Sequence, residues 1–194
     1  MIDVTPVPTR RPRLQRHGIL RELIATLFFI VAVYALAEMS FPRSNLEGPS
    51  MEPTFFAGQY LLISRVHYLF GEPEYGDIVV FQRPDYTPQQ PRLIKRLIGL
   101  PGDTIEIRER LVYRNGQQLD EPYFVNAPCT FDCADRLWLL GPDEYFVMGD
   151  NRNRSQDSRD FGVIHRALIV GEAVFRYWPI DQIGSVIKIG YPTP

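Results

Sequence analysis

Ser50 stands in the segment Gly48-Pro49-Ser50-Met51-Glu52-Pro53-Thr54, between prolines that remove two backbone donors and restrict the turn. Such a turn can aim a hydroxyl in one direction, as a nucleophile requires, although serine is also an ordinary turn former. Lys95 lies in Leu93-Ile94-Lys95-Arg96-Leu97-Ile98, and of the 21 basic residues only Lys95 and Lys188 are lysines. Arginine keeps its proton in a protein, whereas a desolvated lysine can lose it and act as a base. The plain alternative is a lysine that snorkels from a strand edge to water. A third segment, from Gly149 to Gly162, alternates acidic and basic residues. Pairing among them would stiffen the loop enough to hold a catalytic group, where a solvated loop would not.

Chemistry of that kind needs rigid elements beneath it. After residue 41 the apolar runs are short and rich in branched or aromatic residues: Tyr60–Val66, Ile78–Phe81, Leu93–Ile98, Thr104–Ile107, Leu111–Tyr113, Tyr145–Met148 and Ile169–Tyr177. Turn residues separate them, and Asn115-Gly116 between two such runs predicts a tight hairpin. The 17 prolines and 14 glycines, spread along the chain, suit a turn-rich β protein. The expectation is an all-β, largely antiparallel domain over 42–194. Its sheets form a partly closed core from 42–107 and 142–194, and a small β subdomain is inserted at 108–141.

The N-terminus predicts an anchor. Leu23 to Ala37 is apolar or small throughout and without charge. A spanning helix needs about 17–25 apolar residues, so the flanks must complete it, giving a span over 21–41. Arg10, Arg11, Arg13, Arg16 and Arg21 precede or begin it, and Arg43 is the next basic residue. The positive-inside rule then keeps residues 1–20 in the cytoplasm and exports the remainder. A buried core helix would show a polar stripe, which is missing here. A cleaved secretory signal, ending near Ala35-Leu36-Ala37, shares the same design and stays open as an alternative.

Composition excludes other classes. A net charge of -2 and the lack of a basic patch with interleaved aromatics argue against nucleic acid as a partner. Cys129 and Cys133, at C-x3-C spacing with no histidine nearby, do not make a zinc site, so neither metal nor cofactor is expected. They form either a local structural disulfide or two free thiols. Of the three histidines, His17 falls on the cytoplasmic side, and His67 and His165 lie in no motif suited to a base.

The segments Ser50-Met51-x-Pro53-Thr54, Gly76-Asp77-Ile78-Val79-Val80-Phe81, Ile94-Lys95-Arg96-x-Ile98-Gly99-Leu100-Pro101-Gly102-Asp103 and Gly149-Asp150-Asn151-Arg152-Asn153-x-Ser155-x-Asp157-Ser158-Arg159 resemble, in content and order, the type I signal peptidases. The resemblance implies a membrane-bound serine endopeptidase of the bacterial cytoplasmic membrane. Its partners are the lipid bilayer and signal-peptide-bearing preproteins, which it cuts after an Ala-x-Ala pattern. It also implies Ser50 as nucleophile, Lys95 as general base, Ser155 as the hydroxyl that orients Lys95, and Asp157 and Arg159 as the ion pair that holds the loop. The resemblance likewise makes the Ser50 backbone N–H the first oxyanion donor. Some members add a hydroxyl two residues before the nucleophile, but here that residue is Gly48, which leaves the second donor unassigned.

By position in these motifs, Leu46, Met51, Phe55, Leu61, Val80, Leu93 and Ile94 line shallow apolar substrate pockets, which reject large side chains by overlap. Phe55-Phe56 and Tyr68-Leu69-Phe70 read either as interfacial anchors or as ordinary core aromatics. Two rival functions fit parts of the pattern. One is an inactive membrane-tethered peptide-binding module, against which an intact Ser50 and Lys95 argue. The other is a self-cleaving Ser-Lys protease, which would lack a span and carry a DNA-binding domain.

Overall fold

The computed structural model describes residues 16–85, 87, 90–122, 129 and 133–186. Most of the predicted cytoplasmic tail and Lys188 lie outside the described residues. The chain divides after Met39 into two compact units.

The first unit contains helix α1 (Arg16–Ser40). Leu, Ile, Ala and Phe propagate it without a proline, and Pro42 bars its continuation. From Gly18 to Ser40 its mean hydropathy is 2.1 and none of it is buried, so it is long and apolar enough to cross a membrane. It begins at Arg16, more than a turn before the expected start at residue 21.

The second unit is mostly β. Its strands are β1 (Arg43–Asn45), β2 (Tyr60–Ser64), β3 (Ile78–Phe81), β4 (Leu93–Gly99), β5 (Thr104–Arg108), β6 (Leu111–Arg114), β7 (Gln117–Gln118), β8 (Arg136–Leu139), β9 (Glu144–Met148), β10 (Ile164–His165), β11 (Ile169–Trp178) and β12 (Gly184–Ser185). Two four-residue helices, α2 (His67–Phe70) and α3 (Ser158–Phe161), interrupt them. One sheet has the order β1-β2-β11-β3-β4-β9-β10, with β12 added to β11. The other has the order β7-β6-β5-β8, and all pairings are antiparallel. Asn115 and Gly116 both take positive φ and close the β6–β7 hairpin, as their types predict.

The second sheet begins at Thr104, not at 108, so β5 leaves the core sheet where it was expected to stay. Gly99 lies at the end of β4. A Cβ there would stand 2.7 Å from Leu140 Cδ1 and 2.8 Å from Ile105 Cγ1, so with glycine these side chains of the second sheet pack directly against the β4 backbone. Ile98, Ile105, Ile107, Val112, Phe146 and Met148 form one buried cluster drawn from both sheets. Phe81, Leu97, Val147 and Ile169 fill a second cluster, and Leu46, Met51, Phe55, Leu61, Val80 and Ile94 are part of a third.

Candidate active site

Strand β4 is buried from Ile94 to Gly99, on both faces. A lysine and an arginine in consecutive positions of such a strand must each find polar partners or lose their charge. Arg96 takes the first course. Its guanidinium meets Asp150 through two bonds, Nε to Oδ1 at 2.8 Å and Nη2 to Oδ2 at 2.7 Å, and Nη1 donates to Gly76 O at 3.0 Å. Both side chains are fully buried, and Thr54 Oγ1 adds a bond of 2.5 Å to Asp150 Oδ2.

Lys95 is only 3 % exposed and has no ion pair among the described residues. Its Nζ lies 2.8 Å from Ser50 Oγ and donates to Ile94 O at 2.9 Å. Burial pushes its pKa down to about 8, against the opposing pull of Asp157 and Asp150. A lysine held this way is largely charged at neutral pH but surrenders its proton at modest cost.

The Ser50 turn is clasped by the loop after β9. Asn151 N donates to Ser50 O at 3.0 Å, and the Thr54–Asp150 bond ties down the far end of the turn. Gly149 is the contact point. A Cβ there would come within 2.5 Å of Ser50 O and 2.2 Å of Ser155 Oγ. Gly48, at φ 87°, gives the turn its left-handed entry.

Asp157 and Arg159 form the expected ion pair, with Nε to Oδ1 and Nη2 to Oδ2 both at 2.8 Å and both side chains buried. Burial alone would raise the Asp157 carboxyl, but Arg159 and the Gly149 N–H, which donates to Oδ2 at 2.9 Å, hold it below the usual carboxylate range. Asp157 also caps α3 in a reciprocal box with Asp160. Arg159 Nη2 donates to Arg152 O, and Nη1 reaches both sulfurs of the Cys129–Cys133 disulfide at 3.2 Å. Of the two readings the cysteines allowed, the disulfide is the one found. Arg152 in turn pairs with Glu121 and donates to Gly149 O at 3.1 Å.

Ser155 is buried in this shell, yet among the described residues its Oγ has no hydrogen-bond partner of ordinary geometry, Lys95 included. It lies over Gly149 and close enough to Asp157 to favour the ionised carboxylate. Of the predicted pocket residues, Leu46, Met51, Leu93 and Ile94 line a groove of about 590 Å³ that also contains Ser50 and Lys95. Phe55, Leu61 and Val80 do not reach its wall; they pack in the cluster behind it. Phe55 and Tyr68 are core aromatics, whereas Phe56, Leu69 and Phe70 are exposed.

Arg96, Asp150, Thr54 and Gly149 entered the sequence analysis only inside motifs, with no role. The legible signal was Arg96 itself, since an arginine in an aliphatic strand calls for an acid. The groove also takes in Arg43, Gln82, Gln90, Arg92 and Gln156, polar residues that no motif singled out.

The sequence profile of the family described as signal peptidase, peptidase S26, matches residues 20–178. A probable signal peptidase I-1 of Synechocystis sp. is 36% identical over 170 residues, covering 84% of this chain and 83% of that one. Signal peptidase I of Leptolyngbya laminosa is 40% identical over 71% of this chain and 68% of its own. Signal peptidase I of Bacillus caldolyticus is 36% identical over 79% and 90%. A solved signal peptidase I structure from Enterococcus faecalis V583 aligns at a TM-score of 0.46 and 35% identity, covering 53% of this chain and 97% of that one. A serine and a buried lysine in contact, on a mostly β unit behind an apolar helix, are thus accompanied by matches along most of the chain: it belongs to the type I signal peptidases of peptidase family S26, serine endopeptidases that remove signal peptides.

Proposed function

We propose that Ser50 and Lys95 are the nucleophile and general base with which this signal peptidase cleaves exported preproteins. The neutral amine of Lys95 takes the Ser50 proton as Oγ attacks the scissile carbonyl, and the Ser50 N–H donates to the oxyanion. The resulting ammonium protonates the departing amine, and the amine so restored activates the water that hydrolyses the acyl-enzyme. Ser155, a buried hydroxyl beside Asp157, accepts from the ammonium and orients it. Asp157 and Arg159 keep the loop in place.

The observation that carries this reading is the 2.8 Å contact between a buried lysine amine and Ser50 Oγ. The groove supports an extended substrate. The outer edge of β1 is the edge of its sheet, and β9 pairs with β4 only from Arg96 onward, leaving Leu93–Lys95 open on that side. A peptide strand between these two edges would bond to both, with small side chains over Leu46, Leu93 and Ile94, which is how an Ala-x-Ala site is recognised. The arginine-rich N-terminus sets the topology: tail in the cytoplasm, α1 across the membrane and the catalytic unit outside.

The test is cleavage of a preprotein by the purified enzyme, with the cut mapped by mass spectrometry. Ser50→Ala and Lys95→Arg should each lower turnover by more than a thousand-fold, on the order expected for loss of a nucleophile or base, and both variants should remain folded. Normal cleavage by Lys95→Arg would end the reading, because arginine keeps charge and length but cannot give up its proton.

A further inference from the structure

The loop that carries Ser155 is held from two sides. From within, Asp157 pairs with Arg159 and accepts from Gly149 N at 2.9 Å. From outside come residues of the smaller sheet and its connections. Arg136 of β8 donates from Nη1 to Arg159 O at 2.9 Å, and Glu121, just past β7, meets Arg152. Glu121 accepts from Arg152 Nη1 on Oε2 at 2.9 Å and from Nη2 on Oε1, a two-pronged contact that fixes the plane of the guanidinium. The remaining edge of that plane serves the loop, since Arg152 Nε donates to Gly149 O at 3.1 Å. The Arg152 side chain is 2% exposed, so its charge stays in place only with an acid opposite it.

The peptide groups on both sides of Gly149 are thereby fixed, its N–H by Asp157 and its carbonyl by Arg152. Gly149 is also where the loop meets the Ser50 turn, and its carbonyl leads on toward Asn151, whose N–H donates to Ser50 O at 3.0 Å. Arg152 touches the inner clamp as well, because its own carbonyl accepts from Arg159 Nη2 at 2.8 Å. A guanidinium that turned would therefore release the Gly149 carbonyl and let the Ser50 turn and Ser155 drift apart.

We propose that Glu121, supplied by the smaller sheet's connection and not by the catalytic motifs, is a positioning residue for the peptidase reaction. It orients Arg152, which holds the Gly149 carbonyl and with it the spacing between the Ser50 turn and Ser155. This rests on the reading that Ser50 attacks, Lys95 takes its proton and Ser155 orients the ammonium. Neither Glu121 nor Arg152 lines the groove beside Ser50 and Lys95, so their effect falls on kcat and leaves KM. Misplacement of reacting groups by about 1 Å costs on the order of a hundred-fold, and partial relaxation puts the loss from Glu121→Gln at roughly ten- to a hundred-fold in kcat.

The experiment measures kcat and KM on a preprotein with full-length enzyme in detergent, together with the melting temperature of each variant. Glu121→Gln keeps the shape of the side chain and removes its charge; kcat should fall as stated, with KM near the wild-type value. Arg152→Lys keeps a cation opposite Glu121 but cannot reach the carboxylate and Gly149 O along one plane. It should melt near the wild-type temperature and lose kcat to a similar degree, and it decides the matter if Glu121→Gln does not fold. In an Arg152→Gln background, adding Glu121→Gln should cost little further, because the two act as one unit. Wild-type kcat in either single variant overturns the proposal, and so do fully additive losses, which would place the effect of Glu121 elsewhere. A lowered melting temperature with unchanged kcat also overturns it, leaving the pair as a fastening of the fold alone. None of these outcomes touches the dyad, whereas cleavage by Ser50→Ala removes the dyad and with it the reading on which Glu121 depends.

Discussion

In the proposed mechanism the chemistry turns on Lys95, whose protonation links activity to stability. Burial sets its pKa near 8 in the folded protein, against an ordinary value of 10.5. The acidic limb of kcat/KM should therefore titrate with a pKa near 8, since only the neutral amine can accept the Ser50 proton. Between these two values the unfolded chain holds a proton that the folded chain has released. Stability thus rises with pH across that window, by up to about 3 kcal/mol for a shift of this size. Denaturant titrations at pH 7 and pH 10.5 should show this gain in the wild type and not in Lys95→Met. Equal gains in both would mean that Lys95 titrates normally. Both members of the Ser50–Lys95 contact stood out in the sequence by type: one of only two lysines among the basic residues, and a serine between prolines. Ser155 is less plain, because its Oγ lies beside Asp157 while the Lys95 amine turns to Ser50 Oγ and Ile94 O.

At the scale of elements, two pieces of chain build the site: the buried strand β4 and the loop that follows β9. They are bolted together by the Arg96–Asp150 pair, and the loop touches the Ser50 turn at Gly149. Replacing one partner of a buried pair leaves an uncompensated charge, so this pairing specifies where the loop docks. Gly149→Ala tests the closeness of that docking. Its methyl would overlap Ser50 O, so the turn must move, and turnover should fall at least a hundred-fold, on the order seen when reacting groups are displaced by about 1 Å. Retention of full activity would show that the turn tolerates displacement. The longer strands were readable from their branched and aromatic runs. Strand β1 was not, because Arg43-Ser44-Asn45 has no strand propensity of its own and is extended only by pairing with β2. Likewise β5 reads as a core strand in sequence; its place in the second sheet comes from pairing with β6 and β8, which local pattern cannot register.

For the molecule as a whole, the sequence made plain an apolar span followed by an antiparallel β unit, and the antiparallel pairings bear this out. The curl that brings β1 near the start of β4 was not legible, because it depends on pairings between strands far apart in sequence. The smaller sheet starts at Thr104, four residues before the expected start of the insert. Ile98 and Phe146, from the larger sheet, share one apolar cluster with Ile105 and Val112, from the smaller. Neither sheet can melt while the other stays intact, because each would bare the same side chains to water. Calorimetry should accordingly record a single heat-absorption peak for residues 40–194, with amide protons of β5 and β9 exchanging through one common opening; two resolved peaks would mean that the smaller sheet behaves as a detachable lobe.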